Sequence, residues 1–299
     1  MALAAGAAWA VRAAERSGDQ GPEVRAVIVD HGLQRGSVQV AATAAERVRA
    51  LGLPASVTRV EVLGTGDGPE AAARRARRDG LRAAAGAGAV MLGHTLDDQA
   101  ETVLLGLARG SGGKSLHGMA VVNGPLVRPL LGIRREETRQ ACGDQGLEPW
   151  HDPMNDDERY KRVRIRKNVM PVLEAELGPG IAEALARTAT TLREDSETLD
   201  ALALEWAQEI VDTDADGRVT LDVGGLVTQP AALRQRICRA VAEQGFGVSL
   251  SRAHTMAVAA LATEWRGQGP IDLPGIRVER NAGRLFFGFA DQGTDDPEQ

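Results

Sequence analysis

With 299 residues, 43% of them hydrophobic and 25% charged, the chain has the composition of a globular protein long enough for about two domains. A net charge of −6 excludes a protein that coats nucleic acid indiscriminately. Two widely spaced cysteines, Cys142 and Cys238, argue against a cysteine zinc site, an iron–sulfur cluster or a disulfide framework. No run approaches a membrane span, and MALAAGAAWAV lacks the basic lead and cleavage site of a signal peptide, so a cytoplasmic protein is expected.

In chain order, residues 1–16 have helical spacing, with Leu3, Trp9 and Val11 on an apolar face. VRAVIVD (24–30) is a short buried strand that runs into the polar turn DHGLQRGS, where Ser37 is placed to cap a helix ending near Leu51. ASVTRVEV (55–62) is a strand, and residues 70–86 form a helix carrying Arg74, Arg75, Arg77, Arg78 and Arg82. AVMLG (89–93) is the next strand, and LVRPLL (126–131) leads into a helix from Arg134 to about Gln145. This alternation predicts an α/β fold with a doubly wound, mostly parallel sheet.

The pattern changes after residue 175. Residues 181–211 read as one long helix, with apolar residues three and four apart. A second, smaller α+β unit follows, with a strand pair around Val219–Val223, helices near 230–244 and 251–263, and strands in PIDLPGIRVER and RLFFGF. The expected divisions are 1–175 as a first domain, 176–212 as a linker helix, 213–290 as a second domain and 291–299 as a disordered acidic tail.

Two motifs fail on inspection. GSGGKS (110–115) resembles the end of a nucleotide-binding P-loop, but the required earlier glycine is Ala108 and a helix precedes it. DTDADG (212–217) opens like a calcium loop, yet its twelfth position is Val223 instead of glutamate.

The stretch that calls for a chemical explanation is GHTLDDQAET (93–102), which places His94, Asp97, Asp98 and Glu101 where a strand hands over to a helix. Open α/β folds bind ligands at that edge. Acids also favour helix N-termini, so these residues could serve only to cap and start a helix at Gln99, but a cap needs one acid, not three plus a histidine, which favours the chemical reading. RYKRVRIRK (159–167) packs six basic residues, and Val163 and Ile165 alternate with them as at a structured edge. The arginines of residues 74–82 suit a polyanion or a solvated helix face.

Taken in order, VDHGLQRGS (29–37), EAAARRARRDGL (70–81), GHTLDDQAETVLLGLARGSG (93–112), VRPLL (127–131) and WHDPMNDDERYKRVRIRKNVMPVL (150–173) resemble the tRNA(Ile)-lysidine synthetases. These belong to the PP-loop, or N-type, ATP pyrophosphatases. The later unit resembles that family's tRNA-facing domain more weakly. The resemblance implies a Rossmann-like catalytic domain, ATP and Mg²⁺ as cofactors, and tRNA(Ile) with a CAU anticodon and free L-lysine as substrates. It implies adenylation of the C2 oxygen of the first anticodon cytidine, then displacement of AMP by the lysine side-chain amine.

It also assigns site residues. Asp98 and Glu101 match the acids that face lysine and magnesium, with their division of roles open and Asp98 the metal ligand; Asp97 and His94 stand beside them. Asp30 and His31 match the DHG turn at the nucleotide site. Arg74 and Arg77 match family arginines, while Arg78 stands where tyrosine is usual. Arg162, Arg164 and Arg166 fit an RxRxR pattern, with Val163 in place of asparagine. Asp152 and Asn155 match positions that fix the loop carrying those arginines, and His117, His151 and His254 receive no role. The oligomeric state stays open, a homodimer included.

The family's SGGxDS phosphate loop has no counterpart here, and Met1-Ala2-Leu3 aligns just after it, so the fold is expected without its first strand. Either the true start lies upstream or the chain is a tRNA-binding relative without catalysis. As written, the chain is expected not to adenylate RNA, and ATP–pyrophosphate exchange by it would overturn that expectation. A thiolating sister enzyme should show CxxC pairs, and an enzyme that adenylates a small molecule needs neither the later unit nor RYKRVRIRK.

Overall fold

A computed structural model describes residues 1–19, 21–32, 36–61, 69–110, 112–214 and 217–290, without the side chains of 69–71 and 74. The Arg74 side chain and the tail 291–299 therefore lie outside the described residues. Two compact units form: one comprises 1–111 and 115–190, the other 112–114 and 191–299. No helix among the described residues is long and apolar enough to cross a membrane.

The first unit runs α1 (Ala2–Arg16), β1 (Ala26–Asp30), α2 (Ser37–Ala50), β2 (Ala55–Arg59), α3 (Pro69–Ala85), β3 (Val90–Met91), α4 (Leu96–Arg109), β4 (Val122–Asn123), β5 (Leu126–Val127), α5 (Arg135–Asp144), α6 (Lys161–Arg164) and α7 (Met170–Glu176). Helix α8 (Ile181–Ile210) follows, and the division between the units falls within it. β1 pairs with β2 in parallel, and β3 pairs with β5 in parallel, with β4 antiparallel on its far side. The expected parallel α/β character is present, though the described strands form these two patches instead of one continuous sheet.

Small residues set the packing of α1. Ala8 meets Val48 and Leu53, with Met1, Ala4 and Val11 against them, a stripe at spacings of three and four. Trp9 lies about 100° around the helix from Ala8, and it is 64% exposed instead of joining that face. Ser37 does not cap α2. Gly36 holds the cap position with φ of 81°, a left-handed conformation that glycine adopts at no steric cost, and the Ser37 hydroxyl bonds to Asp30.

RYKRVRIRK is helical, not an extended edge: α6 continues through a π-turn at Ile165–Val169 into α7. Val163 alone in that run is fully buried, and the alternation with Ile165 reflects no strand. Glycine in mid-helix costs about 1 kcal/mol against alanine, yet Gly106 sits inside α4. A β-carbon there collides with the backbone carbonyl of Ser115. Gly106→Ala is therefore expected to destabilise by about 1–2 kcal/mol net, because overpacking against backbone outweighs the gain in propensity. Urea denaturation followed by circular dichroism measures this, and an unchanged or higher midpoint would mean that the chain gives way there without strain.

The second unit contains β6 (Val211–Thr213), β7 (Val219–Asp222), α9 (Val223–Thr228), α10 (Ala231–Phe246), α11 (Arg252–Thr263), β8 (Ile271–Leu273), β9 (Ile276–Asn281) and β10 (Arg284–Phe289). Its strands form one antiparallel sheet in the order β6-β7-β10-β9-β8. Ile276 and Val278 on β9 and Leu285 and Phe287 on β10 point to one face at a period of two and are buried. Ile237, Cys238, Val258 and Leu261 of α10 and α11 cover them. Each such side chain contributes about 1.5–3 kcal/mol on burial.

Candidate active site

The site begins at the turn from β3 into α4. Helix α4 starts at Leu96, with Thr95 as its N-cap, so Asp97, Asp98 and Glu101 all lie within its first turns instead of before them. Asp98 Oδ2 accepts from the Thr95 amide at 2.8 Å and from the Thr95 hydroxyl at 2.9 Å, closing a capping box. Leu96 and Ala100 anchor the helix against Ala182, with Met170, Leu185 and Ala186 around them. With the helix fixed on that side, Asp97 and Glu101, four residues apart, share a neighbouring face with Asp98 beside them.

Capping accounts for one acid and one oxygen of that acid. The remaining carboxylate oxygens meet arginines from distant segments. Arg135 Nη2 donates to Asp98 Oδ1 at 2.8 Å and to Glu101 Oε1 at 3.1 Å. Arg166 grips Glu101 with two parallel bonds, Nε to Oε1 at 2.8 Å and Nη2 to Oε2 at 3.2 Å. Glu101 is only 1% exposed, so this carboxylate is buried and fully engaged by guanidinium groups. Asp97 Oδ2 accepts from the Arg135 backbone amide at 2.7 Å, while its Oδ1 has Arg134 Nη1 at 3.5 Å.

Arg134 in turn binds Glu183 through Nε at 2.5 Å and Nη2 at 2.7 Å, and reaches Glu174 at 3.4 Å. Glu174 accepts from the amides of Gly180, Ile181 and Ala182 at the start of α8. The acidic start of α4 is thus tied through Arg134 to the start of α8.

The charges follow from these contacts. Burial pushes the Asp98 carboxyl up, but Arg135 and the Thr95 bonds outweigh it and hold Asp98 below its ordinary value. Burial likewise pulls the Arg166 guanidinium down, and its bonds to Glu101 and attraction to Asp98 more than reverse this. The site is therefore a set of fixed ions.

Two cavities share Arg135 and Arg166 in their walls. One, of about 340 Å³, is lined by Asp98, Arg135, Arg139, His151, Asn155, Asp156, Arg166 and Lys167. The other, of about 180 Å³, is lined by Asp97, Glu101, Arg134, Glu174 and the same two arginines, with Met170 and Pro171 as its apolar side. Four guanidinium or ammonium groups against two carboxylates make the larger one suited to an anion. No group of three His, Cys, Asp or Glu side chains stands ready to hold a metal among the described residues. A magnesium ion that brings phosphate oxygens and waters needs only one or two carboxylates, and Asp98 on the cavity wall meets that requirement.

The expected residues divide into groups. Asp97, Asp98, Glu101 and Arg166 converge, with His94 half-buried and electrostatically coupled to Asp98. Asp30 and His31 form a separate turn at the end of β1. The Gly32 amide, then the Ser37 hydroxyl, hold the Asp30 carboxyl below its ordinary value against burial. Arg162 is half-buried, whereas Arg164 is exposed and donates to the carbonyl of Glu158 at 2.8 Å. Arg77 is exposed on α3. Arg134 and Arg135 were not anticipated; the cue was the pair of arginines in GIRREE, which follows LVRPLL.

In the second unit, Arg236 and Arg239 stand one turn apart on α10, and Arg252 opens α11. Arg239 is half-buried, and burial first and Arg236 second hold its guanidinium below the ordinary value. Asp200, paired with Arg236 at 2.7 Å, offsets part of that repulsion.

Family profiles match both parts of the chain: a PP-loop domain over residues 5–173 and a TilS substrate binding domain over 221–286. The chain is 60% identical over 292 residues to the tRNA(Ile)-lysidine synthase of Leifsonia xyli subsp. xyli, covering 96% of this chain and 86% of that protein. The chain belongs to the tRNA(Ile)-lysidine synthase family. The synthases of Rhodococcus erythropolis and Thermobifida fusca are each 49% identical, covering 90% and 85% of this chain and 83% and 79% of theirs. Among solved structures, the U34-tRNA thiolase NcsA from Methanococcus maripaludis, which carries a [4Fe-4S] cluster, superposes with a TM-score of 0.50 at 19% identity. That likeness covers 64% of this chain and 69% of the thiolase and extends to the fold alone. In this lysidine synthase family member both cysteines, Cys142 and Cys238, are buried. Nothing in these matches favours a binding-only relative.

Proposed function

We propose that the chain makes lysidine in tRNA(Ile) with a CAU anticodon. ATP adenylates the C2 oxygen of the first anticodon cytidine and releases pyrophosphate. The side-chain amine of free L-lysine then attacks C2 and AMP departs. The observation that carries the reading is the 60% identity to a synthase over 96% of the chain. The acid–arginine cluster at the start of α4 is consistent with it.

Each side chain then has a distinct task. Arg135, Arg139, Arg166 and Lys167 present positive charge to the nucleotide phosphates in the larger cavity. Glu101, spent entirely on guanidinium groups, keeps Arg135 and Arg166 in place. Asp98 would hold Mg²⁺, which when bound neutralises phosphate charge. Asp97 has the most loosely held oxygen of the three acids and faces the smaller cavity, which suits the α-ammonium group of lysine, the one that does not react. Asp30 and His31 supply a second polar turn for the nucleotide, and Arg74, Arg77, Arg162 and Arg164 match family arginines whose guanidinium groups suit AMP, pyrophosphate or RNA phosphate. In the second unit, the crowded guanidinium groups of Arg236, Arg239 and Arg252 suit the tRNA backbone. These substrates belong to the cytoplasm.

The test supplies ATP, magnesium, labelled lysine and a tRNA(Ile) transcript with a CAU anticodon to the protein purified from its own cells. Lysine is expected to enter the RNA with one AMP released per lysine, and a transcript lacking the first anticodon cytidine takes none. ATP turnover without lysine in the RNA would overturn the assignment.

A further inference from the structure

The second half of the proposed reaction needs a base, since free lysine arrives as an ammonium ion with no lone pair to attack C2. Most groups around the two cavities are poorly placed for that task. Asp98 and Glu101 have both oxygens engaged by hydrogen-bond donors, and Asp98 is held below its ordinary value by Arg135 and Thr95 in spite of its burial. Asp156 is bonded by Lys167 and His151, which bring its carboxyl down to about 2. The arginines are donors only and cannot accept a proton. Among the described residues lining the two cavities, His151 alone carries an imidazole, the side-chain type suited to general-base work.

Its surroundings form an arrangement used for proton transfer. His151 Nε2 lies 2.6 Å from Asp156 Oδ2, and Lys167 Nζ holds Asp156 Oδ1 at 2.8 Å. A neutral imidazole that donates Nε2–H to Asp156 has Nδ1 as its acceptor, and the carboxylate stabilises the imidazolium that forms. Asp98, Arg135, Arg139, Arg166 and Lys167 line the same cavity. Their net positive charge favours the neutral amine of an incoming lysine over its ammonium form.

We infer that His151, oriented by Asp156, is the general base that deprotonates the lysine side chain before it attacks the adenylated cytidine; this rests on the proposed function above. His151 takes one proton from the ammonium group. The freed electron pair forms the N–C2 bond, and the C2–O bond breaks, so that AMP leaves with that oxygen and the bonding pair. Of the two protons left on that nitrogen, one passes to solvent and one stays on the guanidine-like cation that results, and solvent then takes the proton from His151.

The test separates the two half-reactions in the native protein and in His151→Gln and His151→Asn, with tRNA-dependent ATP–pyrophosphate exchange reporting adenylation and folding. Single-turnover lysine transfer in the variants is expected to fall roughly 100-fold relative to exchange. In the wild type, transfer should rise with pH and then level off. In the variants it should keep rising into the alkaline range as free amine accumulates. A lysine analogue with a less basic side-chain amine should narrow the gap. Variants that transfer lysine at the wild-type rate with the wild-type pH profile would reduce His151–Asp156 to a surface ion pair. If the wild type itself puts no lysine into the RNA, it is the proposed function that fails.

Discussion

Glu101→Ala is expected to lower the free energy of unfolding by about 3–5 kcal/mol, the range for removing one partner of a buried ion pair. Glu101 is 1% exposed and is bonded to both Arg135 and Arg166. Its loss leaves two guanidinium groups facing each other, with Asp98 as the nearest counter-charge, at 2.8 Å from Arg135 and 3.8 Å from Arg166. The burial of Arg166 is then uncompensated, and most of the cost is that penalty, not the lost bond. Glu101→Gln keeps the shape but turns an amide N–H₂ toward one guanidinium, so it should recover only part of the loss. Chemical denaturation of the two variants beside the wild type gives the result. A loss below about 1 kcal/mol for the alanine variant, the scale of an exposed pair, would mean that water reaches the cluster and that Glu101 does not anchor it.

Asp98→Asn should abolish most lysine ligation, by a factor on the order of 100 or more, while tRNA binding is kept. The substitution retains a capping oxygen for Thr95 but removes the charge that faces Arg135 and the larger cavity. The stability effect has a defined sign with pH. The folded-state carboxyl sits below its ordinary value of 3.8, so its contribution is present above that value and is lost as pH falls through the folded-state value. Wild type and variant should therefore differ in stability at neutral pH and converge in acid. Labelled-lysine incorporation and filter binding of tRNA, measured together, decide the first claim. Ligation within a fewfold of wild type would remove Asp98 from the chemistry and leave it a helix cap. Loss of tRNA binding in parallel would make its role one of assembly.

Much of the architecture was legible because local pattern carried it. The short strands read in PIDLPGIRVER and RLFFGF stand as β8, β9 and β10, and three-and-four spacing placed α8 within one residue of its observed end. Where local pattern misled, a second constraint had prevailed. Val163 and Ile165 alternate with charges as in a strand, but the run is helical and passes through a π-turn. Ser37 has the right residue type to cap α2, but Gly36 takes the cap because its left-handed backbone is needed there, which frees the hydroxyl for Asp30.

The sequence by itself determined the order of motifs, the parallel α/β unit followed by a smaller α+β one, and the gathering of His94, Asp97, Asp98 and Glu101 at one strand–helix turn, since residues so close in the chain are held together by the helix itself. Only the tertiary structure decided what those acids face. Arg135 and Arg166 meet Glu101 across 34 and 65 residues, and Arg134 meets Glu183 across 49. Such pairings leave no periodic trace, because they depend on where whole helices pack, and the packing is set by apolar faces elsewhere: Leu96 and Ala100 against Ala182. For the same reason His151 received no role from the sequence, and only the fold put it on the wall of the cavity that holds Asp98.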